Sequence, residues 1–99
     1  MKSITTDDLL EIVETGQEIQ LIDVREYEEV AYGMVPGAKH IPLGQLPERI
    51  AELESAEPVH VICKAGGRSA MACDFLEANG MATVNVEGGM MNWNGETIA

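Results

Sequence analysis

The stretch Pro58-Val59-His60-Val61-Ile62-Cys63 limits the possible folds of this chain more than any other. It is β-branched, carries no carboxylate or ammonium group, and has the length of a strand rather than of a helix. An uncharged run of this kind reads as a strand covered on both faces, as inside a parallel sheet. Gly66 and Gly67 interrupt it. From Arg68 to Asn79 a helix is expected, with Ala72, Cys73 and Leu76 on one face and Gly80 as its end. Strand, glycine turn and helix in that order call for further parallel strands elsewhere in the chain.

They are present. Ile19-Gln20-Leu21-Ile22-Asp23-Val24 has strand length, Ile41-Pro42 ends a very short extended piece, and Thr83-Val84-Asn85-Val86 is a last strand. Helical segments alternate with them. Thr5 caps a helix with Asp8 in its first turn, Leu9, Leu10 and Val13 at helical spacing and Gly16 as its stop. Glu26 to Tyr32 reads as a short helix closed by Gly33. Leu46, Ile50 and Leu53 mark another, with Pro47 tolerated in its first turn. The expected class is α/β: a small parallel sheet flanked by helices on both faces. No repeat, linker or low-complexity tract divides the 99 residues, so one domain spanning 1–99 is expected.

Charge narrows the partners. With 17 Asp+Glu against 6 Lys+Arg the net charge is −11, which argues against nucleic acid and against anionic membrane surfaces. No apolar run is long enough to span a bilayer, and the first residues lack the apolar core of a secretion signal. Two cysteines, Cys63 and Cys73, are too few for a disulfide scaffold, so free thiols in the cytoplasm are the expectation.

The segment with chemistry in it is Cys63-Lys64-Ala65-Gly66-Gly67-Arg68-Ser69. Ligands of open α/β sheets bind beyond the carboxyl ends of strands, where Cys63 falls. A glycine-rich turn aims several backbone N–H groups inward as an anion nest, and the helix that follows adds its positive end. Such a cradle favours the thiolate, making Cys63 a nucleophile and welcoming any anionic adduct on it. Lys64 and Arg68 add charge, and no acid occurs between Pro58 and Cys73, so a locally positive pocket is expected. The bland alternative is a small core cysteine above glycines that only make the turn.

The whole set of motifs resembles the rhodanese-like, or sulfurtransferase, family. Cys63 to Ser69 is similar to that family's active-site loop. Asp23-Val24-Arg25-Glu26, then Glu29, Gly33 and Pro36-Gly37-Ala38, is similar to its N-terminal signature, and Val86-Glu87-Gly88-Gly89 followed by Trp93 to its C-terminal one. The resemblance implies a Cys63 that takes a sulfane sulfur from a small anionic donor such as thiosulfate. As a persulfide it would pass that sulfur to cyanide or a thiol, without metal or organic cofactor. Phosphatases and arsenate reductases of similar architecture carry five residues between cysteine and arginine, whereas four separate Cys63 from Arg68; the shorter loop favours sulfur. Arg68 would hold the loop and its anion. The family usually has His at the position of Met34, so contacts at that turn should differ. A second reading is a relay module that exchanges persulfide with a protein donor or acceptor, its acidic surface steering toward a basic partner.

Other candidates read as structural. Asp23 and Arg25 are expected to form an ion pair at the end of their strand. His60 lies three residues before Cys63 and faces the other side of the sheet, and His40 faces solvent in a turn. Cys73 belongs to the core rather than resolving a Cys63 adduct. Met90, Met91 and Trp93 close an edge of the core, and Glu48, Glu52, Glu54 and Glu57 form a solvated face.

Overall fold

The computed structural model describes residues Met1–Ala99. Five strands, β1 (Lys2–Thr5), β2 (Gln20–Asp23), β3 (Lys39–His40), β4 (Val59–Ile62) and β5 (Thr83–Glu87), form one sheet in the order β1-β5-β4-β2-β3. Every pairing is parallel. Helices α1 (Thr6–Glu14), α2 (Tyr27–Val30), α3 (Leu46–Arg49) and α4 (Gly67–Ala78) connect them, with short 3-10 turns at Leu43–Gln45, Ile50–Glu52 and Gly89–Asn92. The α/β expectation holds.

Alternation along the strands sorts the core into two layers. Val59, Val61 and Cys63 join Ile22, Val24, Ile41, Leu46, Ala72, Cys73 and Leu76 on one face. Ile62 and Leu21 point the other way, to Leu9, Val35 and Val86, with Met90 and Trp93 packed on that layer. Helices therefore cover both faces, as the uninterrupted apolar character of β4 requires.

Local signals explain most boundaries. Thr5 and Asp8 make a reciprocal capping box at the start of α1, Thr5 accepting from the Asp8 N–H and Asp8 from the Thr5 N–H. Pro47 lies in the first turn of α3, where its missing N–H does no harm. The expected helix through Leu46, Ile50 and Leu53 instead tightens to a 3-10 turn after Arg49. The sheet holds one strand that the sequence pattern does not announce. Lys2–Thr5, polar and largely exposed, pairs along β5 and owes its strand form to that neighbour. Near the other terminus Ile98 exchanges backbone hydrogen bonds with Met34 at 2.7 and 2.9 Å, which ties the chain end to the turn before Pro36.

Connections after β2 run outward to β3, whereas those after β4 run the opposite way to β5. The sheet's switch point thus lies between β2 and β4, and the loops leaving their carboxyl ends diverge there. Both sequence motifs of the first half and centre of the chain meet at that place.

Candidate active site

Cys63 follows β4 at this switch point and is 1% exposed. The loop after it curls back over the sulfur. The Gly66 N–H donates to Sγ at 3.0 Å and the Ser69 N–H at 3.3 Å. The Ser69 hydroxyl oxygen lies 3.3 Å from Sγ and 3.0 Å from the Gly66 carbonyl oxygen. Gly66 occupies the N-cap of α4 at φ +112°, in the left-handed region that a side chain resists. That conformation turns the first N–H groups of the loop and helix toward one point. Burial of the sulfur pushes the thiol up. The Ser69 hydroxyl and the N–H groups of Ser69, Gly66 and Ala65 more than offset it, so the Cys63 pKa is lowered below its ordinary value.

The loop has a lid of backbone. The Met90 N–H donates to the Cys63 carbonyl at 2.8 Å and the Met91 N–H to the Lys64 carbonyl at 2.9 Å. This close approach requires Gly89, at φ +58°, because a Cβ there would lie 2.5 Å from the Lys64 carbonyl oxygen and also collide with that of Cys63. The Gly88-Gly89 pair therefore orients Cys63 from behind by fixing its own carbonyl, while leaving the loop N–H groups free for the sulfur. The sequence offered the two glycines but no indication of what they approach.

Asp23 and Arg25 form the expected ion pair. Arg25 Nη2 and Nε lie 2.8 and 3.1 Å from Asp23 Oδ2, and Nη2 also donates to the Gly33 carbonyl at 2.9 Å. Both are buried, and the pair locks the end of β2 to the turn after α2. His40 departs from expectation. It is half-buried rather than facing solvent, with Nε2 2.7 Å from the Arg25 carbonyl oxygen and its ring edge-on to Tyr27.

Arg68 departs further. Its guanidinium makes a bidentate pair with Glu29, Nη1 to Oε1 at 2.6 Å and Nη2 to Oε2 at 2.8 Å. Glu29 Oε1 also accepts from the Glu26 N–H at 2.9 Å, closing the N-terminus of α2. The Arg68 contact is foremost in holding the Glu29 carboxyl down at about 2. The stretch from Pro58 to Cys73 is acid-free in sequence but not in space, because α2 delivers Glu29 from the far side of the switch point. Half of the positive charge expected of the pocket is thereby neutralised. Lys64 is exposed and forms no ion pair, so the remaining positive character comes from it, the N–H groups and the end of α4.

The other candidates lie elsewhere. Cys73 is fully buried in the core, where burial foremost raises its thiol pKa. His60 is half-buried on the strand position facing away from Cys63, with Nδ1 unpartnered. Of the acidic series, Glu52 pairs with Arg49 and Lys39, whereas Glu48, Glu54 and Glu57 are exposed. Met91 is exposed, while Met90 and Trp93 pack on the second core layer as expected. No group of His, Cys, Asp and Glu is placed to hold a metal ion.

A cysteine met by backbone N–H donors at the switch point, braced by the Gly88-Gly89 segment and neighboured by a β2 end that the Asp23–Arg25 pair locks, can be compared with known domains. The model of the Rhodanese-like domain matches residues 5–96. This chain belongs to the rhodanese-like family. It is 50% identical over 97 residues to the Bacillus subtilis (strain 168) protein YtwF, which is named as a sulfurtransferase only provisionally; the match covers 98% of this chain and 94% of that one. A protein of Allochromatium vinosum named Sulfurtransferase is 31% identical, covering 94% and 88%. Among solved structures, a rhodanese-like domain protein from Staphylococcus aureus superposes with a TM-score of 0.90 at 44% identity, over 97% of this chain and 94% of that one. The rhodanese-like chain and its relatives thus share more than the sheet. No helix of the structure is long and apolar enough to cross a membrane.

Proposed function

We propose that this domain is a thiosulfate-type sulfurtransferase in which Cys63 carries the sulfur. The observation that supports the reading best is the pair of backbone N–H groups converging on Sγ, from Gly66 and Ser69, with the Ser69 hydroxyl beside them to turn toward a thiolate. They stabilise a thiolate before reaction and a persulfide anion after it. In the first half-reaction the Cys63 thiolate attacks the sulfane sulfur of thiosulfate. A new S–S bond forms, the old one breaks, and sulfite departs with the electron pair of the broken bond. In the second, cyanide or a thiolate takes the outer sulfur and Cys63 leaves as thiolate. No net oxidant or reductant enters the cycle with cyanide, and no metal or organic cofactor is called for.

The loop supplies what each step needs. Donors fixed by the backbone do not have to reorganise as charge moves along the S–S–S axis. Four residues between Cys63 and Arg68 make a cradle for one sulfur anion, and Arg68, being held by Glu29, is not free to clamp a phosphoryl group. Sulfur transfer is therefore favoured over phosphate or arsenate chemistry at this site. The test is thiocyanate release from thiosulfate and cyanide by wild type and by Cys63→Ser. Wild-type turnover with loss of at least a thousandfold in the variant is expected. Turnover that survives in a folded Cys63→Ser protein contradicts the reading.

A further inference from the structure

The ion pair between Glu29 and Arg68 has a consequence for which donors the loop accepts. Both carboxylate oxygens of Glu29 face the guanidinium, and one of them also takes the Glu26 N–H. No other base competes for Arg68, and Arg25, the other arginine near Glu29, is committed to Asp23 and to the Gly33 carbonyl. Glu26 adds a second negative charge that Arg68 feels from the same helix end. Of the two basic side chains of the loop, Arg68 is therefore neutralised by Glu29 while Lys64 stays unpaired. One positive side chain of the loop, rather than two, is left to attract an incoming anion.

We propose that Glu29 is a specificity-determining residue that sets the donor's preferred charge, favouring singly charged sulfane-sulfur donors over the thiosulfate dianion. The inference rests on the sulfur-transfer reading of Cys63. Thiosulfonates are the matching class. In them carbon replaces one oxygen of thiosulfate, so the sulfane sulfur and the attack at it are retained while one charge is lost. The Cys63 thiolate takes the sulfane sulfur, the S–S bond breaks, and a sulfinate leaves with its electron pair in place of sulfite. Coulomb energy scales with the donor's charge, so removing the Glu29 charge helps a dianion by twice the logarithm that it helps a monoanion.

The experiment measures kcat/KM for thiosulfate and for benzenethiosulfonate, with cyanide as acceptor, in wild type, Glu29→Gln and Glu29→Asp. Replacement by Gln should raise the thiosulfate value about tenfold and the thiosulfonate value about threefold, carried mainly by KM. Both gains should shrink toward wild type at about 0.5 M salt, where screening is short-ranged. Glu29→Asp keeps the charge and should keep the wild-type ratio between donors. An equal fall for both donors in Glu29→Gln, or a ratio that moves as far in Glu29→Asp as in Glu29→Gln, overturns the inference and leaves Glu29 as a brace of α2. Absence of transfer from either donor in wild type overturns the sulfur-transfer reading along with it. Transfer that depends on Cys63 with an unshifted donor ratio overturns the inference alone.

Discussion

Ser69 has one hydroxyl proton and two acceptors within reach, the Gly66 carbonyl and the Cys63 sulfur. In the thiol form the S–H points at the Ser69 oxygen, and the hydroxyl proton serves Gly66. On ionisation the hydroxyl turns to donate to the sulfur, so the residue follows the protonation state of its neighbour. Ser69→Ala removes that donor while keeping the backbone N–H. We expect sulfur uptake from thiosulfate at pH 7 to fall about three- to tenfold and the gap to close toward pH 9, where both proteins are ionised. A pH–rate profile of the two proteins checks this; a constant ratio at every pH would show that Ser69 acts on structure and not on the thiol. The profile of wild type should itself rise through an inflection below the ordinary thiol range and then level, because the loop lowers the Cys63 pKa.

At the scale of elements, Gly89 lets the backbone close on the β4–α4 loop, and the Asp23–Arg25 pair locks the end of β2 to the turn after α2. Gly89→Ala forces a Cβ onto the Cys63 and Lys64 carbonyls and into a left-handed backbone. It should destabilise the domain by about 2–4 kcal/mol in urea unfolding and displace the loop, lowering transfer in the protein that remains folded. Asp23→Ala leaves the Arg25 guanidinium buried without its partner, and a loss of about 3–5 kcal/mol is expected from the same measurement. A change under about 1 kcal/mol in either variant would contradict the bracing role assigned to it. Much of this layer was legible in the chain. β4, α4, the capping box of α1 and the Asp23–Arg25 pair follow from local pattern, because apolar run, cap and neighbouring opposite charges act over a few residues. What could not be read is tertiary. β1 is a polar segment made into a strand by β5, His40 is drawn in by the Arg25 carbonyl, and Glu29 meets Arg68 only because β2 and β4 lie side by side. The acid-free window around the loop suggested a more positive pocket than exists, since sequence distance says nothing of what a neighbouring strand delivers.

At the scale of the whole molecule, pH acts through His60 on β4 and Glu29 on α2. Burial foremost lowers the His60 pKa, so the unfolded chain binds its proton more readily than the folded one. Stability therefore falls as pH drops below about 6.5, the ordinary histidine value, and continues to fall toward the folded pKa. Glu29 acts lower: its ion pair contributes fully above the ordinary carboxylate pKa of 4.5 and is lost as pH falls toward about 2. Urea midpoints should decline between pH 7 and 5.5 in wild type, and His60→Gln should flatten that slope; an equal slope in both proteins would remove His60 as the cause. The net charge of −11 bears on encounter rather than on chemistry, slowing the approach of anions to a loop that holds them by short-range N–H groups. The central claim is that those groups keep a persulfide on Cys63, and intact mass tests it most directly. Purified protein treated with thiosulfate should gain one sulfur atom, lose it to cyanide with release of thiocyanate, and show neither change as Cys63→Ser. A folded wild-type protein that gains no sulfur, or a Cys63→Ser variant that gains and releases it equally, would contradict the account.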